Sequence, residues 1–483
     1  MRRNPAGLTL LEGRQLELSG GMADIVFEAE FHAPEDCAIF GFDCAENDPV
    51  VGQRSRTSSL GLFVPGFGLI GMPEGPSPAP LGAGFSVQPP GSKLTFGNAM
   101  FLENVAGYYR DAEDDPGRYQ AQGAAIQRFT YFAPTVAYQV TDSFSVGAGI
   151  HFSHQGFAAN LSTRAPNMLL GVGQRLQDAF GCDEQQQEPL APWLALCGGK
   201  IGPWEDIGDL NFSMQETLST SFTVGVLWRP NDWFSWGANY SSGDRMNLKG
   251  TFELDYTEDW AGFWQSVNSS VLGAIGAAIL SLPSGVPYES GNISSKQEYP
   301  QHFSTGVSVR VLPFLTLNAD VDYVNLGSQQ SLVLDFDREL EFLNAARILS
   351  PDKAAPSQLK IDQSFEDVWN LGFGATYHAT DRLDLRAGVQ FRDDAIPDDK
   401  KTIMFPIGEL TMYGLGFGYR WSENTVIDAS ISYMRSRDNM PANSTCNMNC
   451  DNITNIVYNP YAGLDVTQQA TIRQAGLAFR TKF

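Results

Sequence analysis

The chain has 483 residues, with 55 acidic and 32 basic side chains and a formal charge of −23. Such a field repels polyanions, which excludes nucleic acid as a partner. Charged residues are only 18% and aromatic residues 12%, with 48 glycines; soluble domains carry about 25% charge, whereas this balance suits a barrel with lipid outside and water inside.

The chain opens Met1-Arg2-Arg3-Asn4-Pro5-Ala6, without the apolar core of a secretory leader. Because the rest reads as an envelope protein, the natural sequence is expected to begin further upstream. Strand candidates follow near residues 14–29, 58–72, 81–100 and 122–140. The third contains Gln88-Pro89-Pro90-Gly91. Proline has no amide hydrogen to give a ladder, so the pair either interrupts a strand within the wall or forms a loop beyond a short one.

From residue 144 a period of two takes over. Apolar positions fall at Phe144, Val146, Ala148, Ile150 and Phe152, then at Phe222, Val224, Val226 and Trp228, and at Phe234, Trp236, Ala238 and Tyr240. The pattern returns from 303 to 311, 315 to 323, 369 to 377, 383 to 391, 413 to 419 and 427 to 433. Such alternation sets one face on an apolar medium and the other on a polar one. Tight links such as Thr141-Asp142 and Leu312-Pro313-Phe314 join these strands in pairs, while long polar segments near 158–220, 255–300, 325–362, 393–408 and 437–468 separate the pairs. Short turns at one rim and long loops at the other are the layout of a bacterial barrel, whereas a soluble sandwich does not segregate its loops this way. The predicted fold is therefore an all-β, transmembrane antiparallel barrel of about 14 strands with long extracellular loops.

One stretch, Trp260 to Leu282, is uncharged, but Gln265, Asn268 and several serines dilute it. It reads as an amphipathic loop helix rather than the ~20-residue apolar span a membrane helix needs. The six cysteines form three close pairs, Cys37 with Cys44, Cys182 with Cys197 and Cys446 with Cys450. The five histidines do not cluster with them, so local disulfides are expected rather than a metal site. The opposite strand parity, including Arg310, Asp320, Asp322, Asp384, Arg386 and Arg392, should face the lumen; these charges either pair across it and partly fill it, or simply solvate the wall. The chain ends Ala475, Leu477, Phe479, Phe483 on one parity, the terminal pattern that barrel-assembly machinery reads. Neither a G-x-S-x-G elbow, an H-E-x-x-H motif nor a Walker loop occurs, and the chain is not read as an enzyme.

Three segments carry a family resemblance: Arg3-Asn4-Pro5-Ala6-Gly7-Leu8 before the first strand; Phe365-Glu366-Asp367-Val368-Trp369 followed by Gly372-Phe373-Gly374; and Leu383 to Pro397 with Phe391, Asp393 and Asp394. In this order they resemble the FadL family of outer-membrane transporters for long-chain fatty acids, whose relatives carry aromatic hydrocarbons. The resemblance implies a plug remnant, with residues 1–13 as the end of an N-terminal hatch (Asn4, Pro5, Ala6) and residues 14–483 as the barrel, its loop insertions near 158–220 and 255–300. It implies capture of a hydrophobic molecule by apolar loops, here Met168, Leu169 and Leu170 after the fifth strand and Trp260, Phe263, Trp264 and Leu272 after the seventh. It further implies an inner pocket in which Lys360, one residue out of register, meets a carboxylate; Arg164 is displaced by several positions from the family's arginine. Lateral release into outer-membrane lipid would then pass through Gln88-Pro89-Pro90-Gly91. No cofactor is implied, and the chain is expected to be a monomer in the outer membrane of a Gram-negative bacterium. An aromatic-hydrocarbon channel, a non-transporting surface barrel or adhesin, and an outer-membrane lipase are the competing readings.

Overall fold

A computed structural model describes the chain apart from residues 1–3, 34–37, 40–42, 45–46, 167, 183–192, 350–354, 406–407, 443, 445–459 and 462. One antiparallel sheet of 21 strands dominates it. In chain order these are β1 (Arg14–His32), β2 (Arg54–Val64), β3 (Gly68–Gly71), β4 (Ser77–Val87), β5 (Leu94–Arg110), β6 (Gly123–Phe132), β7 (Thr135–Gln139), β8 (Phe144–Thr163), β9 (Gly208–Trp228), β10 (Phe234–Ser241), β11 (Asp244–Tyr256), β12 (Tyr288–Tyr299), β13 (His302–Leu312), β14 (Leu315–Val324), β15 (Ser331–Phe336), β16 (Gln358–Asp362), β17 (Val368–Thr380), β18 (Leu383–Arg392), β19 (Leu410–Arg420), β20 (Thr425–Met440) and β21 (Asp465–Lys482). The sheet closes because β1 pairs with β21 along nearly its full length, from Gln15↔Lys482 to His32↔Asp465. Closure removes the edges that lipid could not hydrate.

The expected count of about fourteen is slightly low: 16 of these strands form the barrel and the others are additional short segments. Several expected strands are broken in two, at Ala133-Pro134, at Ser242-Gly243 and at Pro300-Gln301. The expected strand 58–72 is instead the hairpin of β2 and β3, in which Gly61 pairs with Gly71 and Val64 with Gly68.

The breaks have a physical purpose that the outward side chains reveal. On the short-turn half, Leu317, Leu371, Leu385, Leu415, Ile431 and Leu477 are exposed on the outer face. Trp228, Trp233, Phe314, Tyr377 and Trp421 ring the short-turn rim, and Phe222, Phe303, Trp369, Phe391 and Tyr413 ring the upper margin. Two aromatic girdles around an aliphatic belt are the lipid-facing surface of an outer-membrane barrel. About 9–11 residues suffice to cross a bilayer, so β9, with 21 residues, projects well beyond it. There the outside is water and the apolar face must turn round. In β9 the even positions Phe222, Val224 and Trp228 face out below, yet the even positions Leu210, Phe212 and Met214 are buried inside above. The register shift of β8 against β9, around Ser153 to Gln155, absorbs the change. Tyr240 and its even neighbours in β10 face out, whereas Met246, Leu248, Phe252 and Leu254 of β11 face in, on the far side of Ser242-Gly243. A bulge or break shifts the two-residue period by one and so exchanges faces.

Among the described residues of the long loops lie four α-helices: α1 (Met168–Phe180), α2 (Glu258–Ser269), α3 (Val271–Leu280) and α4 (Glu341–Leu349). The amphipathic helix expected from 260 to 282 is two helices bent by 101° at Ser270, whose hydroxyl caps α3 by accepting from the Gly273 amide.

Candidate ligand chamber and its openings

The inward turn of the apolar face builds a chamber in the outer half of the lumen. Phe157, Leu210, Phe212, Met214, Leu248, Phe252, Leu254, Leu334 and Phe336 contribute from the wall, while Trp260 of α2 and Leu343 of α4 contribute from above. Aromatic pairs lock it: Phe157 meets Phe212 edge-on at 5.2 Å, and Phe252 meets Phe336 at 4.9 Å. Each such side chain contributes roughly 1.5–3 kcal/mol by leaving water. Trp260 and Trp264 bury their indole N–H groups without an acceptor among the described residues, an arrangement that a polar ligand atom would satisfy.

Beneath the chamber the lumen is polar and closed. Arg128 is 2% exposed, 2.5 Å from Glu103 and 3.6 Å from Asp244. It also donates to Ser221 and stacks over Tyr299 at 4.2 Å. Arg392 lies on the inward parity of β18. It forms no ion pair among the described residues; Asp394, the carboxylate that acts on it, is engaged by Lys401 at 3.5 Å.

Towards the outer mouth Arg164 is enclosed. It donates to both carboxylate oxygens of Asp48, at 2.8 and 2.9 Å, and lies over the rings of Tyr119 and Tyr461. Tyr461 stacks on Phe31 at 4.7 Å and donates to the Pro116 carbonyl. Burial pushes the phenols of Tyr119 and Tyr461 far above the usual tyrosine value. This knot ties four loops together and leaves no free cation at Arg164.

The loop between β8 and β9 is pinned by the expected disulfide Cys182–Cys197, with Cα atoms 5.1 Å apart. Leu170 of α1 and Leu196 pack against Ile201, Phe263 and Val267, with Trp264 alongside. The other face of the bend is bare: on α3, Leu272, Ile275 and Ile279 are exposed, Ile279 to 74%. Of the predicted capture residues, Leu170, Trp260, Phe263 and Trp264 therefore meet in one loop assembly, while Leu272 stands outward on it. Met168 and Leu169 lie on α1, but their side chains fall outside the described residues. So do Cys37, Cys446 and Cys450 and the side chain of Cys44, and with them the other two proposed disulfides.

Two placements bear on the sequence reading, the second by selecting the loop alternative. Lys360 does not face the lumen: it is exposed and paired with Asp362 at 3.0 Å, while its strand neighbours Leu359 and Ile361 pack on the chamber. Gln88-Pro89-Pro90-Gly91 does not interrupt a strand. It is the tight turn between β4 and β5, closed by the Ser92 amide donating to the Pro89 carbonyl, with Val87 paired to Phe96.

The wall is interrupted elsewhere. β2 lies between β1 and β5 only at its start, with Phe27↔Thr57 and Thr57↔Arg110. It then leaves the wall, and β4 resumes beside β1 at Ala23↔Ser77 but reaches β5 only at Ala83↔Met100. Between these points, among the described residues, no ladder to β2 or β4 is found along Leu102 to Ala106 of β5. The displaced hairpin crosses the outer face. Phe63, 2% exposed, packs on Ala125 and Ala158, which lie on the parity opposite the chamber residues Ala124 and Phe157. Glycines let it lie close: a Cβ on Gly107 would stand 2.2 Å from the Gly61 carbonyl, and one on Gly156 2.2 Å from the Phe63 ring. The sequence held a signal for this in the uncharged run from Thr57 to Pro73, which is too glycine-rich for a regular wall strand.

At the short-turn rim, Pro5–Leu10 forms a 3-10 turn whose Ala6 and Leu8 are buried. The Asn4 side chain donates to the Val226 and Ala238 carbonyls at 2.9 and 3.3 Å and accepts from the Ala6 amide. A Cβ on inward-facing Gly147 would strike Pro5 and Ala6, so this segment sits on the inner wall.

The family model described as outer membrane protein transport protein (OMPP1/FadL/TodX) matches residues 1–483. The long-chain fatty acid transport protein of Escherichia coli strain CFT073 is 22% identical over 216 residues, covering 45% of this chain and 42% of that protein; the matched stretch spans less than half of that relative. A crystal structure of a Pseudomonas aeruginosa FadL homologue superposes with a TM-score of 0.66 at 18% identity, covering 99% of this chain and 93% of the other. The P. putida toluene transporter TodX superposes at 0.61 with 14% identity, covering 99% and 92%. At such identities the likeness is one of fold. Chamber, girdles and barrel closure between β1 and β21 agree with the family match over the whole length, and the chain belongs to the OMPP1/FadL/TodX family of outer-membrane transport proteins.

Proposed function

We propose that the protein passively admits long-chain fatty acids or similar hydrophobic compounds through the outer membrane. The observation that carries this reading is an apolar chamber in the outer half of the lumen, above a closed polar floor. The bare face of α3 collects the ligand from water, since an exposed apolar patch of this kind has little other use. The ligand enters past Trp260 and Trp264 and rests in the chamber. It leaves sideways into lipid between β4 and β5, where unpaired backbone is tolerable because it borders a cavity. Residues 4–10 act as the end of an N-terminal hatch whose shift at Asn4 accompanies release. No cofactor takes part.

A carboxylate-bearing ligand is favoured by Arg392, a lumenal guanidinium that forms no ion pair among the described residues. Charged hydrogen bonds are worth ~1.5–3 kcal/mol, or about tenfold or more in affinity. Cells relying on Arg392→Gln should take up oleate about tenfold more slowly and toluene at an unchanged rate. Equal rates for oleate in the variant and the parent would remove the carboxylate role. Similar growth on both compounds with and without the gene would sink the transport reading and favour a structural surface barrel.

A further inference from the structure

We infer that the outer face of β20 and β21 holds the phosphate of an outer-leaflet lipid headgroup, gripped by Arg435 and Arg437. Both lie on the outward parity of β20, exposed, two residues apart. Their guanidinium groups converge on a single acceptor: Arg435 Nη2 and Arg437 Nε donate to Gln469 Oε1 at 3.1 and 3.0 Å. The Gln469 amide is steadied in turn by donating to Thr471 at 3.4 Å. Two like charges drawn to one neutral oxygen repel each other, and an anion placed between them relieves that repulsion while completing their donor sets.

Among the described residues the protein supplies no such anion here. Neither arginine forms an ion pair among the described residues, and two carboxylates of the surrounding strands, Asp24 and Glu28, are engaged elsewhere. Asp24 holds Arg473 at 2.8 Å, and Glu28 holds Arg54 at 3.0 Å and Arg56 at 3.7 Å. Glu409, exposed at the head of β19, pairs with neither.

The height of the arginine pair selects the ligand. Below Arg435 the outward column of β20 reads Tyr433, Ile431, Ala429, Ile427. From Ile427 to Arg437 the strand climbs about 33 Å at ~3.3 Å per residue, which at a tilt of ~40° is about 25 Å of height, the thickness of the apolar band. The two guanidinium groups thus stand where acyl chains give way to headgroups, on the long-loop side that faces outward. Charge complementarity there points to a phosphorylated lipid rather than to a soluble anion, because the acyl chains of such a lipid would lie along Ile431 and Leu477, both exposed.

The test compares the full chain with Arg435→Gln/Arg437→Gln, each refolded into nanodiscs containing lipid A and phosphatidylethanolamine, by native mass spectrometry of the released protein. Retention of lipid A should fall at least fivefold in the variant, and dephosphorylated lipid A should be retained weakly by both. Equal retention by both proteins would overturn the site. Displacement of lipid A by millimolar inorganic phosphate would overturn the lipid assignment, marking a site for free anions. The heat-dependent gel shift of a folded barrel checks the variant. If the Gln pair fails to fold, Arg435→Lys/Arg437→Lys replaces it; this pair keeps the charge, loses the planar fork, and should show a smaller but measurable loss, with undiminished retention again refuting the proposal.

Discussion

Arg164 and Lys360 show how much a basic side chain's role depends on which way its backbone turns. Arg164 is wholly enclosed by Asp48, Tyr119 and Tyr461, and a buried pair of this kind is costly to break from one side. Arg164→Ala should destabilise the barrel mouth by about 3–5 kcal/mol, read as a lower unfolding midpoint in detergent. Adding Asp48→Asn should cost much less than a second independent loss, because the two groups share one interaction. If the double variant is doubly destabilised, the pair is not a unit. The sequence offers Lys360 as the lumenal candidate and Arg164 only as a displaced neighbour of the family's arginine, because register is invisible without neighbouring strands. Arg392 is legible by parity alone, since it continues the run Asp384, Arg386, Gly388, Gln390. Lys360 belongs to β16, a five-residue strand too short for alternation to be read.

At the scale of strands, the wall obeys one rule with two solvents. Alternation makes the membrane half readable, because lipid demands an unbroken apolar column. Above the belt the same period persists with the faces exchanged, and Ser242-Gly243 or Pro300-Gln301 then look like ordinary loop residues in sequence. Face assignment predicts opposite outcomes for similar changes. Leu415→Arg, in the middle of the lipid-facing column of β19, should cost about 2–4 kcal/mol. Glu253→Arg, outward on β11 but above the belt, should stay within about 0.5 kcal/mol. Equilibrium unfolding of both variants in lipid vesicles checks this, and equal penalties would mean the belt is misplaced. The double proline shows the limit of local chemistry: it states that no ladder passes through residues 89 and 90, yet a turn and a breach satisfy that statement equally.

For the whole molecule, ring closure and family were legible, whereas the number of segments and the side of the breach were not, because both depend on pairings between distant residues. The closed floor gives a further expectation. Arg128, with Glu103 and Asp244, fills the lumen beneath the chamber, so planar bilayers should record no steady porin-like current. Arg128→Ala leaves two carboxylates facing each other across an emptied volume and should produce a cation-selective leak. A silent variant would place the barrier with the N-terminal segment instead. The hairpin laid over the outer face also breaks the cylinder's circular outline. Phe67 at its tip is 80% exposed, and the ridge it crowns flanks the opening between β4 and β5. In a crowded bilayer, where barrels jostle side by side, such a ridge acts as a fender. It is expected to keep neighbouring proteins from pressing flush against that flank, leaving room for lipid beside the proposed exit.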